Sequence, residues 1–389
     1  MGYDPYIYEM KNIQMVDLKS QYLKIKTEVN EGIQEVIDTT AFIKGGKVTD
    51  FQHDLESYLN VKHVIPVGNG TDALQIALMS LGLVPGDEVI TPTFTFIATA
   101  EVVALLGLTP VLVDVDPGTF NISTDSLRKA ITPKTKAIVP VHLFGQNADM
   151  ESVLAIAKEF HLYVIEDACQ SIGSVYTFSD GRKVQSGCMG NIGCTSFFPS
   201  KNLGCFGDGG AIFTNNDELA ANMRAIANHG MVVRYHHDMI GVNSRLDSIQ
   251  AAVLEVKLKH LDEYCANRLA AADYYDKAFA TCDKLITPAR NEKSTHVFHQ
   301  YTLKLNGINR QEMQKFLADK GIPAMVYYPV PLHLQKAYQN ARYKAGDFPV
   351  AEKLSECVMS LPMHTELSTE QLEYITRSVL EFLELSRLS

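Results

Sequence analysis

"TSFFPSKNLGCFGDGGAIFTN", residues 195–215, decides how this chain is read. A single lysine, Lys201, stands between Phe197-Phe198-Pro199 and a loop with glycines at 204, 207, 209 and 210; the strand-like "AIFTN" follows at once. An ordinary lysine has a pKa near 10.4 and is a poor nucleophile at neutral pH. Apolar neighbours that strip it of water favour the neutral amine, which can attack a carbonyl carbon. Lys201 therefore reads as a lysine placed for a Schiff base.

Upstream, from about residue 60, short β-branched runs alternate with helical patterns. "HVIPVGN" leads into "TDALQIALMSLGL", "EVITP" into "IATAEVVALLG", and "TKAIVPVHLFG" into "MESVLAIAKEFH", while "LYVIEDA" ends in two acids. Such alternation predicts a mostly parallel sheet covered by helices on both faces. Ligands of such sheets collect at the carboxyl ends of the strands, where "GNGTDA", "PTFTF", "HLFGQ", "EDACQ" and "SFFPSK" all fall.

"GNGTDA" (68–73) lies between a strand and a helix, where free backbone N–H groups, the helix dipole and the Thr71 hydroxyl suit a phosphate. The stretch also fits a dinucleotide fingerprint. That reading needs an acid at the end of the next strand, and "PGDEVI" puts Asp87 and Glu88 before the strand instead. Asp167 closes an apolar strand and needs a cation, a metal or a helix N-terminus to offset its burial. A metal would want more ligands than Glu166, which points to the opposite strand face. A protonated heterocyclic nitrogen would serve as well. Lysine, strand-end aspartate and phosphate-binding helix start, in this order on an α/β chain, together describe a pyridoxal 5'-phosphate site.

Composition narrows the remaining classes. With 389 residues, 46% of them hydrophobic, the chain can form one large and one smaller domain. Lysine and arginine number 35 against 45 acids, a net charge of −10, which offers no global basic surface to nucleic acid or an anionic membrane. No stretch approaches the roughly 18 to 20 apolar residues of a membrane span. The start "MGYDPYIYEMKNIQ" lacks the pattern of a secretory signal, and Met10 could be an alternative start after a tyrosine-rich extension. Seven cysteines with no CxxC pair argue for reduced thiols in the cytoplasm, and against disulfides or a zinc site. Cys169 reads as a small packed apolar residue. A long helical pattern from about Arg245 to Phe279 precedes a change of rhythm. We place a large cofactor-binding α/β domain at 1–260 and a smaller α+β domain at 261–389, with the boundary near 255–280.

The chain resembles the DegT/DnrJ/EryC1/StrS sugar aminotransferases, a fold-type I pyridoxal phosphate family. The likeness runs from "MVDLKSQY" at 15 to "SLPMH" at 364, and its most specific pieces are "GNGTDAL", "PTFTFIATAEVV", "IEDACQSIGS", "GVNSRLDSIQAA", "YYPVPLHLQ" and the opening stretch. Within the family it is most similar to enzymes that aminate C3 of UDP-2-acetamido-2-deoxy-3-keto-hexuronic acid for bacterial surface polysaccharides.

The resemblance implies that Lys201 is the Schiff-base lysine and proton shuttle, and that Asp167 pairs with the pyridine nitrogen with Gln170 against the ring. Phe96 would stack on the cofactor, while Gly70, Thr71 and Ser196 hold its phosphate. Asn243 would complete that cup from the partner subunit of a homodimer with shared active sites. Arg245, Tyr327, Tyr328 and "RYHH" (234–237) would lie near a UDP-sugar substrate, with glutamate as amino donor. Two departures are visible: Tyr327 replaces the histidine of His-Tyr-Pro, and "FIKGGKV" adds Lys44 and Lys47 where relatives have Gly-Pro. The alternatives are a C4 aminotransferase of a 6-deoxy sugar and a cofactor-binding regulator without turnover. The family's dehydratases carry histidine in place of the lysine that this chain keeps.

Overall fold

The computed structural model describes residues 13–338 and 342–388, so Met10 and the tyrosine-rich start lie outside the described residues. Two helices, α1 (Leu18–Thr39) and α2 (Gly46–Leu59), precede the alternation. It runs β1 (His63–Val67), α3 (Gly70–Met79), β2 (Glu88–Pro92), α4 (Ala98–Leu105), β3 (Thr109–Val113), α5 (Thr124–Ala130), β4 (Thr135–Ile138), α6 (Met150–Phe160) and β5 (Tyr163–Asp167). The small hairpin β6 (Val175–Thr177) and β7 (Lys183–Gln185) leads to β8 (Ile192–Ser196) and β9 (Gly210–Thr214). Then come α7 (Asp217–Ile226), a second hairpin of β10 (Met231–Val233) and β11 (His236–His237), α8 (Ser248–Leu258) and α9 (Leu261–Phe279). The chain ends through β12 (Leu285–Ile286), β13 (Tyr301–Leu305), α10 (Arg310–Asp319), α11 (Pro349–Cys357), β14 (Val358–Leu361) and α12 (Thr369–Leu388).

Seven strands form one sheet in the order β1-β9-β8-β5-β4-β2-β3. Neighbours from β8 through β3 pair in parallel, and β9 alone runs antiparallel to both β1 and β8. The reason is connectivity. Helices, and between β5 and β8 the segment with the β6–β7 hairpin, carry the chain back across the sheet between parallel strands, whereas β8 turns directly into β9 through the loop that bears Lys201. β2 and β9 are buried along their whole length, as a sheet covered on both faces requires. Successive residues feed opposite cores: Ile212 joins one with α3 and α7, while Ala211 and Phe213 join another with α2 and α8. This parallel set places the ends of β1, β2, β5 and β8, and the start of β9, along one edge.

A separate core holds Tyr275 and Phe279 of α9, Tyr301 and Leu303 of β13, Leu361 of β14, and Ile375 and Val379 of α12. The single long helix expected over 245–279 is in fact two. The break falls at Lys259 and His260, whose N–H groups donate three residues back to Val256 and Lys257 at 3.2 and 3.0 Å. α8 buries Ala251 and Leu254 in the core beside β9, α9 begins there with Leu261, and its later turns bury Ala271, Tyr275 and Phe279 in the separate core.

Candidate active site

A cavity of about 730 Å³ opens at the carboxyl edge of the sheet. Nine of the residues singled out from the sequence line it: Gly70, Thr71, Phe96, Asp167, Gln170, Ser196, Lys201, Tyr327 and Tyr328.

The turn between β1 and α3 supplies one wall. Asn69 caps α3 by accepting from the Asp72 N–H at 2.8 Å, and the N–H groups of Gly70 and Thr71 have no partner among the described residues. β9 crosses so close that a Cβ on Gly210 would stand 2.5 Å from the Asn69 carbonyl, and one on Gly70 would stand 2.8 Å from Ser196 Cβ. The glycines thus let the helix start and Ser196 converge on one small polar concavity. Ser196 Oγ accepts from the Phe198 N–H at 3.2 Å, which leaves its own proton to be donated.

Asp167 ends β5, is 6% exposed, and is bound from both sides. Its Oδ2 accepts from the Thr99 hydroxyl at 2.7 Å and its Oδ1 from the Cys169 N–H at 3.3 Å. Thr99 escaped the sequence reading. Its only signal was a hydroxyl four residues after Thr95 in "TFIAT", at the entry of α4. Glu166 does face the other side of the strand. It is fully buried and accepts from His142 Nε2 at 2.8 Å and from the N–H groups of Gly187, Met189 and Gly190. No group of acids, histidines or cysteines among the described residues is arranged to hold a metal.

Gln170 is oriented on both ends, its Oε1 accepting from the Phe144 N–H at 2.8 Å and its Nε2 donating to the Tyr328 hydroxyl at 3.1 Å. Burial pushes the Tyr328 phenol up, so it stays protonated. Phe96, 55% exposed, faces Tyr328 with ring centres 6.4 Å apart. Lys201 sits in the tight turn after Phe198, its N–H donating to the Phe198 carbonyl at 2.8 Å. Burial lowers the pKa of its amine, against the pull of the neighbouring Cys169 and Asp167. Cys169 reads from the sequence as a small packed apolar residue. It is half-buried and lines the cavity, with its thiol pushed up by burial. Ser200 and Asp208, which lie within the stretch 195–215 without having been singled out from it, also line the cavity, as do His299 and Gln300, which no local motif announced.

Asn243 and Arg245 are not among the residues lining the cavity of their own chain. Asn243 is exposed and bridges Asn228, while Ser244 between them joins the Gly68 N–H (2.9 Å) and Asp72 (2.6 Å) from outside the cavity. Of the exposed "RYHH", Arg234 and Tyr235 form the tip of the β10–β11 hairpin and His236–His237 are β11, with Arg234 over the Tyr235 ring at 5.0 Å. Of the two extra lysines, Lys44 reaches Asn228 at 3.0 Å, and Lys47 is held between Glu35 (3.0 Å) and Glu255 (3.2 Å).

The cavity matches the three reactive parts of pyridoxal 5'-phosphate. Free N–H groups at a helix start suit its phosphate, a lysine whose pKa burial lowers suits its aldehyde, and a fixed carboxylate suits its ring nitrogen. Sheet and cavity together define a pyridoxal phosphate-dependent aminotransferase of fold type I.

Comparison with known proteins narrows the class. Residues 23–380 match the model of the DegT/DnrJ/EryC1/StrS aminotransferase family, and the chain belongs to that family. It is 48% identical to the "Pleiotropic regulatory protein" of Geobacillus stearothermophilus, over 95% of this chain and 98% of that one. It is 47% identical to the "UDP-2-acetamido-2-deoxy-3-oxo-D-glucuronate aminotransferase" of Pseudomonas aeruginosa, over 93% and 98%. Among solved structures, a DegT/DnrJ/EryC1/StrS aminotransferase from Brucella abortus superposes with a TM-score of 0.90 at 41% identity, covering 95% of this chain and 99% of that one. Other solved relatives hold the cofactor in its PMP and PLP forms.

Proposed function

We propose that this protein moves an amino group from glutamate to the 3-keto carbon of a UDP-linked 2-acetamido hexuronic acid, in the cytoplasm, for a bacterial surface polysaccharide. The observation that carries the chemistry is Lys201, an amine with its pKa lowered by burial, in one cavity with Asp167 and the start of α3. The sugar is supported by the Pseudomonas relative at 47% identity.

When bound, pyridoxal phosphate supplies an electron-withdrawing ring that makes the adjacent carbon acidic. The chain's residues do the rest. The Gly70 and Thr71 N–H groups and the Ser196 hydroxyl hold the phosphate. Thr99 and the Cys169 N–H fix the Asp167 carboxylate, which keeps a proton on the ring nitrogen. Phe96 would pack on the ring, and Gln170, braced by Tyr328, would lie against it. Lys201 Nζ takes the proton from the α-carbon of the donor and returns one to the sugar carbon in the second half of the reaction. Tyr327 and Tyr328 border the space left for the sugar.

We further propose a homodimer in which Asn243 and Arg245 serve the neighbouring chain's cavity. The lining residues include three carboxylates, Asp72, Asp167 and Asp208, and a single cation, Lys201. Phosphate, glutamate and a nucleotide diphosphate are all anions, and such a lining does not attract them unaided. Arg234, Lys44 and Arg245 lie on a neighbouring surface that also exposes Phe42, Ile43, Val232, Val233 and Ile240, at 45% to 86% each. Apolar exposure of this kind marks an association surface.

The test is to incubate the cofactor-loaded protein with glutamate and a panel of UDP- and dTDP-linked 3-keto and 4-keto sugars. The expected product is the 3-amino UDP-uronate, identified by mass. A preference for a 4-keto 6-deoxy sugar, or no turnover with any of them, would overturn the reading.

A further inference from the structure

The stretch "HVFHQ", residues 296–300, brings His299 and Gln300 to the cavity wall, and the chemistry above does not use them. Phe298 is in the left-handed region at φ +44°, an unfavourable conformation for a residue with a side chain. Several contacts impose it. The His296 and Phe298 rings stack with centres 3.8 Å apart, and His296 Nδ1 accepts from the Phe298 N–H at 3.1 Å. From α9, the buried Arg268 donates to the carbonyls of Phe298 (3.1 Å), His299 (3.4 Å) and Met363 (3.0 Å). These bonds all come from Nη1, Nε is sealed without a partner, and the guanidinium makes no ion pair among the described residues.

The bend brings both His299 and Gln300 to the cavity, 5% and 7% exposed. In each side chain one polar atom, His299 Nδ1 and Gln300 Oε1, is sealed from solvent without a hydrogen-bond partner among the described residues. His299 Nε2 and Gln300 Nε2 are not sealed in this way. An N–H buried without an acceptor is rarer in proteins than an acceptor left without a donor. The sealed Nδ1 is therefore the bare nitrogen of the ring, and Nε2 carries the hydrogen. The same reasoning keeps the Gln300 oxygen inside and its NH₂ toward the cavity. Burial, with the Lys201 and Arg268 charges, also holds His299 far below its ordinary pKa and hence neutral. Two neutral donors thus stand side by side in a cavity whose own charges are mostly negative.

We propose that His299 and Gln300 form a carboxylate-binding subsite in the cavity of Lys201. Its ligand is either the carboxylate of the amino donor or that of a uronate sugar, and in this the subsite rests on the aminotransferase reading. Neutral N–H donors can grip a carboxylate with charge-assisted hydrogen bonds and leave Lys201 free of a neighbouring cation that would compete for the ligand.

Calorimetry on the cofactor-loaded protein, with glutarate, UDP-glucuronate and UDP-glucose as probes, tests it. His299→Phe and Gln300→Leu should each weaken one of the two carboxylate probes about tenfold, the loss of one charge-assisted bond, and leave UDP-glucose within about twofold. His299→Gln, which keeps an N–H donor, should retain most of the affinity. Weakened glutarate assigns the subsite to the donor, and weakened UDP-glucuronate to the sugar. Nitrogen NMR of the loaded protein should show His299 neutral, with its proton on Nε2, near neutral pH. Unchanged affinity for both carboxylates, equal loss of UDP-glucose, or a proton on Nδ1 would overturn the subsite. Should wild-type protein transaminate while the variants bind normally, the subsite alone fails. Absence of both transamination and carboxylate binding would remove the functional reading with it.

Discussion

The Thr99 hydroxyl donates to Oδ2 of Asp167 across 2.7 Å, joining the first turn of α4 to the end of β5. Both residues are buried, so the bond is shielded from water and fixes the carboxylate that we propose for the ring nitrogen. Thr99→Val keeps the shape and removes the donor. Turnover should fall about tenfold, close to 1.4 kcal/mol, the scale of one hydrogen bond to a charged group. Thr99→Ser should recover most of it. Equal activity in the valine variant, measured as kcat/KM for glutamate, would show that Asp167 needs no such support.

Removing the Lys201 amine should remove the reaction. Lys201→Ala should retain cofactor through the phosphate cup, lose the visible absorbance of the lysine-linked form, and turn over at least about a thousandfold more slowly. Near-normal transamination by this variant would take Lys201 out of the mechanism.

The same lysine makes a stability prediction in the cofactor-free protein. Its folded-state pKa lies below its unfolded value of about 10.5, so the unfolded chain binds more protons and stability rises with pH through that interval. Below the folded pKa the buried ammonium is destabilising in full. Lys201→Met should therefore raise the melting temperature at neutral pH, with an advantage that shrinks as pH climbs toward that of an ordinary lysine. A constant difference across this range would mean that burial does not perturb the amine.

Gly70 is required by space rather than by backbone conformation. Gly70→Ala would put a methyl 2.8 Å from Ser196 Cβ and 3.0 Å from Cys169 Sγ, and must push Ser196 or the helix start aside. Expected costs are about 1 to 3 kcal/mol in stability, the range for overpacking, and a clear loss of cofactor affinity on equilibrium dialysis. An alanine variant that held cofactor normally would show that the cup tolerates this shift.

Asn243→Asp and Lys201→Ala should each be inactive alone. Mixed and allowed to exchange subunits, they should form hybrids with one intact site, about a quarter of all sites after statistical mixing of a two-fold dimer. No rescue after verified exchange would count against a shared site. The same mixing with Arg245→Met tests whether Arg245 also acts across the interface.

Short-range physics made part of this protein legible from its residues alone. Alternating apolar runs and helical patterns determined a covered parallel sheet, because strand and helix periodicities are local properties of the chain. The order of "GNGTDA", Asp167 and Lys201 determined a shared site, because parallel strands all end on one edge. Only the tertiary structure decided which long-range pairs form. It alone paired Thr99 with Asp167, 68 residues apart, and split the 245–279 helix between two cores. It alone left Asn243 and Arg245 outside their own chain's cavity, engaged Lys47 between two glutamates, and turned His299 and Gln300 inward through a left-handed Phe298. Such contacts depend on how distant segments exclude water from one another, and no local spacing encodes them.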